Sequence, residues 1–409
     1  MLKEPTVLPK RLAFLLGVFF IQLAINSYAQ NNPPVDSDVS ANQSTFEIGL
    51  QKLFNKEYKE ASNIFEGLYI KTKSPRVKLE WARALYLDGN RDKSKDLFNE
   101  VLDLDPPMMV REKVGAYLED IAVSDGKIEA NIGFIKDTNP RFVTNNQTIN
   151  LFGQTYSYNP GFDTSPKYGT SYFLSGSKGI DDKNEWVLNF AVNGASFADK
   201  YFNRTDVEAS ISYRILDIPK VFIKLSDEHY LYGDRLLYKQ PAISIKHQQE
   251  DTSGSYWNNE IKLGQLTYPE YSYLNGNAKS YITSYGIPIT SDITTGLELG
   301  IDRTQAQENA YSFTTKTIGW VTNFYQPEIF IKGQLKFVAT NRRYSDLDPM
   351  FYEMRKDKKT GVYLNLVKTD WKILGVSPSI DLGLERNSSN IDLYSYSRSI
   401  VNLYFKKVY

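Results

Sequence analysis

The chain has 409 residues with 48 basic and 48 acidic side chains, a formal net charge of zero that argues against a nucleic-acid surface. It contains no cysteine, so neither a disulfide framework nor a cysteine-linked lipid is available to it. Mean hydropathy is −0.42 despite 29 Tyr and 22 Phe, and no long apolar run follows residue 29, which excludes a membrane protein built of helices. A membrane β-barrel hides its apolar surface by alternation and is compatible with so polar an average. Composition by itself does not separate such a barrel from a soluble all-β protein.

Residues 1–29 read as a secretory signal. Lys3, Lys10 and Arg11 precede the apolar run Leu12–Phe20, and Ser27-Tyr28-Ala29 offers small residues at the cleavage positions. Gln22 and Asn26 cut the run short of the roughly 20 apolar residues that a membrane anchor needs. Residues 30–44, rich in Asn, Ser, Asp and Pro, read as a flexible leader.

From Thr45 to about Pro107 the pattern is helical and repeats. Gly49, Ala61, Phe65 and Leu68 recur 33 residues later as Ala82, Ser94, Phe98 and Val101. Small residues at such positions let paired helices approach, and the Phe and aliphatic residues fill the space between them. The period resembles the tetratricopeptide repeat of about 34 residues. Residues 45–125 are thus expected to form a periplasmic tetratricopeptide-like domain, with 109–122 a further helix capping the stack. Its concave face is the expected place to hold a peptide or a folded protein. Two repeats fall short of the roughly three that a free-standing solenoid needs, so the module is expected to lean on something else.

After Gly126 the period becomes two. Val207–Ile215 alternates apolar and polar residues, as do Ile329–Phe337 and Ile380–Glu385. Further strands are predicted at 128–134, 169–178, 185–193, 219–227, 238–247, 257–268, 277–288, 293–302, 311–324, 360–368 and 397–409, fourteen in all. Turn chemistry falls between them, as in Asp217-Ile218-Pro219 and Asn387-Ser388-Ser389-Asn390. The even number of strands and the polar faces rich in Lys, Glu and Gln favour an antiparallel transmembrane barrel with a wet lumen over 126–409. Val401, Leu403 and Phe405 share one face of the final strand, which ends on Tyr409, with Lys407 placed to snorkel to the interface.

Candidate chemistry is sparse. Only His229 and His247 are present, and Asp227, Glu228 and Asp234 place carboxylates near the first. A carboxylate–imidazole pair could activate a nucleophile, but a polar loop at the barrel rim explains these residues more simply. No metal-ligand spacing and no phosphate-binding Gly-x-x-x-x-Gly-Lys-Ser/Thr run occurs. No catalytic, cofactor-binding or metal-binding residue is therefore assigned, and no cofactor is expected.

The stretch Trp371–Ile380, continuing through Glu385-Arg386-Asn387-Ser388-Ser389-Asn390-Ile391-Asp392-Leu393-Tyr394-Ser395-Tyr396-Ser397-Arg398, resembles the C-terminal barrel hairpin of the surface lipoprotein assembly modulator (Slam) family. Phe351, Arg355 and Asp357, just before a strand, also fit that pattern. Motif-level similarity covers about the last sixty residues, and the helical module is shorter than the family leads one to expect. The resemblance implies an outer-membrane translocator that exports protein cargo, lipidated or soluble, from periplasm to cell surface. Its partners would be that cargo, outer-membrane lipid and, during biogenesis, the barrel assembly machinery and periplasmic chaperones. Passage could use the lumen or an opening between Ile128–Phe134 and Val401–Tyr409, driven by cargo folding outside or by another machine. The alternatives are a passive porin-like or structural barrel and an outer-membrane barrel hydrolase.

Overall fold

The computed structural model describes residues 37–406, apart from 152, 162–163, 182–183, 218, 252, 372 and 374. The expected signal, the first part of the leader and the final three residues lie outside that range. The described chain divides at Val101/Leu102 into two compact units.

The first unit is helical, with α1 (Ser37–Phe54), α2 (Tyr58–Thr72), α3 (Pro75–Leu87) and α4 (Arg91–Leu102). Helix α1 begins inside the segment expected to be a flexible leader, so residues 37–44 are helical; the Ser, Asp and Asn that suggest a linker suit a helix surface as well. Pro75 at the first position of α3 has the φ that a helix start wants and no N–H to satisfy. The repeat positions fall in equivalent places: Ala61, Phe65, Leu68, Ala82, Ser94, Phe98 and Val101 are all buried. Gly49 lies under the Phe65 ring, where an added Cβ would come within 2.6 Å of the ring. The Ser94 hydroxyl donates to the Ala82 carbonyl at 2.9 Å, satisfying a polar group in the core of the second hairpin.

The second unit begins with α5 (Met108–Asp125), which Gly126 ends with a positive φ of 93°. A helix was expected here as a cap on the repeats. The helix is present, but it groups with the barrel, and the hydrogen bonds described below tie it to barrel turns.

Fourteen antiparallel strands then close on themselves: β1 (Lys127–Asp137), β4 (Lys167–Gly179), β5 (Trp186–Phe197), β6 (Arg204–Asp217), β7 (Lys220–Tyr232), β8 (Arg235–Glu250), β9 (Tyr256–Leu266), β10 (Gly276–Thr290), β11 (Ile293–Ala306), β12 (Phe313–Gln326), β13 (Ile331–Leu347), β14 (Met354–Lys368), β15 (Ser377–Ser389) and β16 (Tyr396–Lys406). Each predicted strand lies on one of these. A short hairpin of β2 (Thr148–Leu151) and β3 (Gln154–Ser157), too short to carry an alternation signal, forms a separate two-stranded sheet in the loop after β1.

Closure pairs the first strand with the last, which is how a sheet satisfies its backbone in lipid. The pleat then sorts side chains to two faces. Leu188, Ile211, Leu225, Ile243 and Leu263 pair strand to strand in one continuous outward row. Nearer the end at which β1 begins, Trp257, Tyr285, Leu297, Trp320 and Phe337 form a second row that supplies an aromatic girdle. The inward face carries ion pairs: Glu228 with Lys262 at 3.2 Å, Glu260 with Lys246 at 3.3 Å and Glu298 with Lys336 at 3.2 Å. Longer loops, including 138–166, lie at the end where β1 finishes, while turns such as 291–292 lie at the other; this makes the first end the outer one.

Phe65→Ala or Phe98→Ala should each cost about 3–5 kcal/mol, the value for emptying a buried Phe site. Hydrogen exchange in the full-length protein should show lost protection in α1–α4 with the barrel strands unchanged; equal loss in both units would mean the two do not fold separately.

Candidate functional site

Two structural features bear on passage through this barrel: the seam where the first strand meets the last, and the helix at the inner end of the lumen. The seam is the shorter of the two ladders that β1 makes. β1 pairs with β4 over all eleven of its residues, whereas among the described residues its register with β16 runs only from Gly133↔Tyr404 to Asp137↔Ile400, five pairs toward the outer end. The strands approach closely there; a Cβ on Gly133 would sit 2.6 Å from the Tyr404 Cβ.

The outer end of the seam is heavily tied. Asp137 is fully buried at the tip of β1 and accepts from Arg398 of β16, Nε at 2.9 Å and Nη2 at 2.5 Å. Arg204 reaches the same carboxylate from β6 at 3.1 Å. Glu385 of β15 lies 3.6 Å from Arg398, with Lys359 at 3.2 Å and the Tyr363 hydroxyl donating to it at 2.7 Å. One carboxylate thus holds two guanidiniums, and a second carboxylate shares one of them. Charge pairs out of bulk water hold firmly when the remaining lone pairs also find partners.

The loop after β1 adds a clasp across the seam. Thr138 N–H donates to the Ser399 carbonyl at 3.0 Å, and the Asn139 amide donates to the Ser397 carbonyl at 3.2 Å. Asn145 accepts from both the backbone N–H and the hydroxyl of Ser397, and the Phe142 ring meets Tyr396 edge-on at 5.4 Å. Thr144 and Asn150 bind the carbonyl and carboxylate of Asp392 at 2.9 Å each.

Most of the motif residues picked out in sequence meet beside this clasp. Arg355 makes an ion pair with Asp357 at 2.8 Å and lies 3.4 Å from the Tyr394 ring centroid. The Tyr394 hydroxyl donates to Asp348 at 2.7 Å, and Phe351 packs edge-on against that ring at 6.0 Å. Burial, followed by the bond to Asp348, pushes the Tyr394 hydroxyl well above the ordinary tyrosine range, so it stays a neutral donor. Asn387 donates to the Tyr394 carbonyl at 2.7 Å, Asn390 accepts from Lys356 N–H at 2.6 Å, and Ile391 is buried. The motif is therefore a loop knot at the outer rim of β13–β16.

The inner end is crossed by α5. At its start, Met108 N–H donates to Asp292 at 3.1 Å and Met109 N–H to the Ser291 carbonyl at 3.2 Å, both in the β10–β11 turn. Tyr325 of β12 donates to Asp105 at 3.0 Å, and Lys332 of β13 pairs with Glu112 at 3.5 Å. At its far end, Asn184 in the β4–β5 turn donates to the Asp120 carbonyl at 2.8 Å, and Lys178 of β4 donates to the Ser124 carbonyl at 2.7 Å. β4–β5 and β10–β13 lie on opposite sides of the ring. At 1.5 Å per residue the 18-residue helix is about 27 Å long and forms a chord across the inner mouth.

A family model described as surface lipoprotein assembly modifier matches residues 127–409. The chain belongs to that family. It is 22 % identical over 260 residues to Surface lipoprotein assembly modifier 2 of Haemophilus influenzae, covering 59 % of this chain and 52 % of the relative. A second H. influenzae protein, Surface lipoprotein assembly modifier, is 22 % identical over 183 residues, 44 % of this chain and 35 % of the relative. The chain therefore spans about half the length of the first relative and about a third of the second. Among solved structures it is similar to OprB of Pseudomonas putida (TM-score 0.43, 7 % identity, 72 % of this chain and 97 % of that one) and to the outer membrane channel DcaP of Acinetobacter baumannii (TM-score 0.41, 10 % identity, 69 % and 97 %). With its family and its lipid-facing belt, the protein is an outer-membrane barrel.

The carboxylates around His229 are dispersed by the strand. His229 and Asp227 share the outward face of β7 with 3.1 Å between them, Glu228 points to the lumen toward Lys262, and Asp234 receives the Asn203 amide in the β7–β8 turn. His247 faces outward beside Trp257 at 5.7 Å. Asp137 and Arg204 went unnoticed in sequence, since a lone charge at a strand end carries no spacing signal. Only the inward parity of their positions could have marked them.

Asp137→Ala would leave two guanidiniums facing each other, and removing one partner of a buried pair costs about 3–5 kcal/mol. The temperature at which the compact gel band converts to the extended one should fall clearly, and Asp137→Ala/Arg398→Ala should cost less than the two single changes added. An unchanged conversion temperature for Asp137→Ala would show that the seam does not depend on this pair.

Proposed function

We propose that this protein is an outer-membrane translocator that moves lipoprotein cargo from the periplasm to the cell surface. The single observation that carries this reading is the family match across the whole barrel, 127–409, whose described relatives are surface lipoprotein assembly modifiers. A lipidated cargo poses a particular physical problem: its polypeptide needs a polar path while its acyl chains need hydrocarbon. A closed lumen offers only the first. An opening in the wall offers both.

The β1/β16 seam suits that requirement. Among the described residues its ladder runs over five pairs toward the outer end, where Asp137, Arg398 and the Phe142–Tyr396 clasp hold it. In our reading the inner part of the seam parts while the outer part acts as a hinge. Helix α5 lies across the lumen, which argues against a permanently open pore and hence against the passive-porin alternative. Helices α1–α4 sit in the periplasm in this scheme, act as a tetratricopeptide-like module and raise the concentration of cargo near the inner mouth, as any tethered site does. Nothing in the proposal calls for catalysis. Insertion by the barrel assembly machinery, with periplasmic chaperones, completes the set of partners.

Protease shaving of intact cells tests this. Removing the protein should leave a lipoprotein that is normally surface-exposed protected inside the cell, with its total amount unchanged. Deleting residues 37–101 should give the same protection while the barrel still inserts; continued display would remove the helices from the scheme. Because the chain is free of cysteine, an S124C/N184C pair gives a clean lock of α5 to the β4–β5 turn. Cargo using the seam should pass in the oxidised state at near the reduced rate, whereas lumen passage should stop when α5 is locked.

A further inference from the structure

The outward face of the barrel is apolar along its middle but changes abruptly at the outer end of β10–β15. Register places Lys279 opposite Arg303, Arg303 opposite Thr314, Thr314 opposite Arg343, and Arg343 opposite Lys356. Five neighbouring strands thus present cation, cation, hydroxyl, cation, cation in one continuous outward row. One step toward the inner end, Lys316 lies opposite Asn341 and Asn341 opposite Lys358, and on β15 Arg386 faces outward opposite Thr360. All seven basic residues are exposed.

Among the described residues nothing neutralises them. The ion pairs of these strands nearest the row, Lys336–Glu298, Arg355–Asp357 and Lys359–Glu385, use inward positions. Among the described residues none of the seven has a carboxylate within ion-pair distance. Two directly opposed like-charged pairs, Lys279/Arg303 and Arg343/Lys356, are destabilising in a ladder unless an anion lies between them. The other wall is different: at the outer end of β6–β8 the outward positions include Thr205, Val207, Asp227, His229 and Leu231, with Lys239 the lone lysine. The row is one-sided, so it is no general feature of the rim.

We propose that this row binds the phosphate groups of a phosphorylated glycolipid in the outer leaflet. Charge complementarity and position both point to that occupant. The cations sit where the bilayer headgroups lie, directly above the exposed apolar side chains Leu299, Ile318, Phe337, Val362 and Leu384. A ligand that is anionic at one end and acyl at the other matches both surfaces at once. Lys and Arg stems lie along the apolar wall while their heads reach up to the phosphates.

The test uses the full-length protein in neutral detergent, mixed with bisphosphorylated lipid A or with the same lipid stripped of phosphate, and reads retained lipid by native mass spectrometry. Wild type should retain the phosphorylated form at least about tenfold better, since each cation near an anionic surface contributes a factor of several. The variant Lys279→Gln/Arg303→Gln/Arg343→Gln/Lys356→Gln should lose that preference, and Lys239→Gln on β8 combined with Lys136→Gln, at the outer end of β1 and outside the row, should keep it. Should the quadruple variant fail to give a compact, heat-modifiable band, Lys279→Gln/Lys356→Gln relieves one cation from each opposed pair and should show a partial loss. Equal retention of the two lipids by wild type overturns the proposal, as does an undiminished preference in whichever of these variants folds. A quadruple variant that keeps the lipid preference but no longer displays cargo would mark the row as a protein-docking surface, which also overturns it.

Discussion

The structure depends on bringing two strands far apart in sequence together so that the sheet has no edge. In hydrocarbon an unpaired strand edge is prohibitively costly, and β1 and β16 are the strands that must find each other after the rest of the sheet has been laid down. Asp137 and Arg398, 261 residues apart, do more than add an ion pair. Their geometry, with Arg204 and Glu385 around them, defines which residues of the two strands stand opposite. A one-residue slip would turn Asp137 or Arg398 outward, away from its partner and into lipid.

That closure also explains how chemistry is divided over the molecule. Once the barrel is formed, alternate residues face water and lipid, and acidic groups such as Glu208, Glu228, Glu260, Glu298 and Glu385 fall on the inward side, where lysines or arginines meet them. The outward side keeps aliphatic and aromatic residues in the membrane. At its outer rim on one wall it keeps cations alone, an arrangement that makes sense only if charge is supplied by the surroundings.

The two ends of the barrel are built for different tasks. The outer end is over-determined: the loop after β1, the knot around Tyr394 and the buried charge cluster all restrain the same few residues of β14–β16. At the inner end, α5 is attached chiefly through hydrogen bonds and ion pairs to turns and strand ends. Such contacts can be exchanged for water at little net cost, whereas opening the outer cluster would separate buried charges from their partners. Movement is therefore expected at the inner end, with the outer end as its fixed frame.

Sequence alone was enough for the fold class, the family and all fourteen barrel strands, because strand alternation and a repeat of 33 residues are local signals that each segment carries by itself. Thr45–Pro107 could be recognised as helical for the same reason, and the hairpin from Trp371 to Arg398 could be recognised by its residues. The start of α1 at Ser37 was not legible, since polar residues suit a helix surface as well as a linker. Tertiary structure alone decided what α5 does: its residues 109–122 read as a helix in either setting, and only the placement of Asp292 and Asn184 on barrel turns and of Tyr325 at the inner end of β12 makes it a chord across the mouth. The same holds for Asp137, for the outward turn of His229 and for the row from Lys279 to Lys356. A lone charge has no period, and its neighbours across the ladder are set by register, which exists only once the sheet has closed.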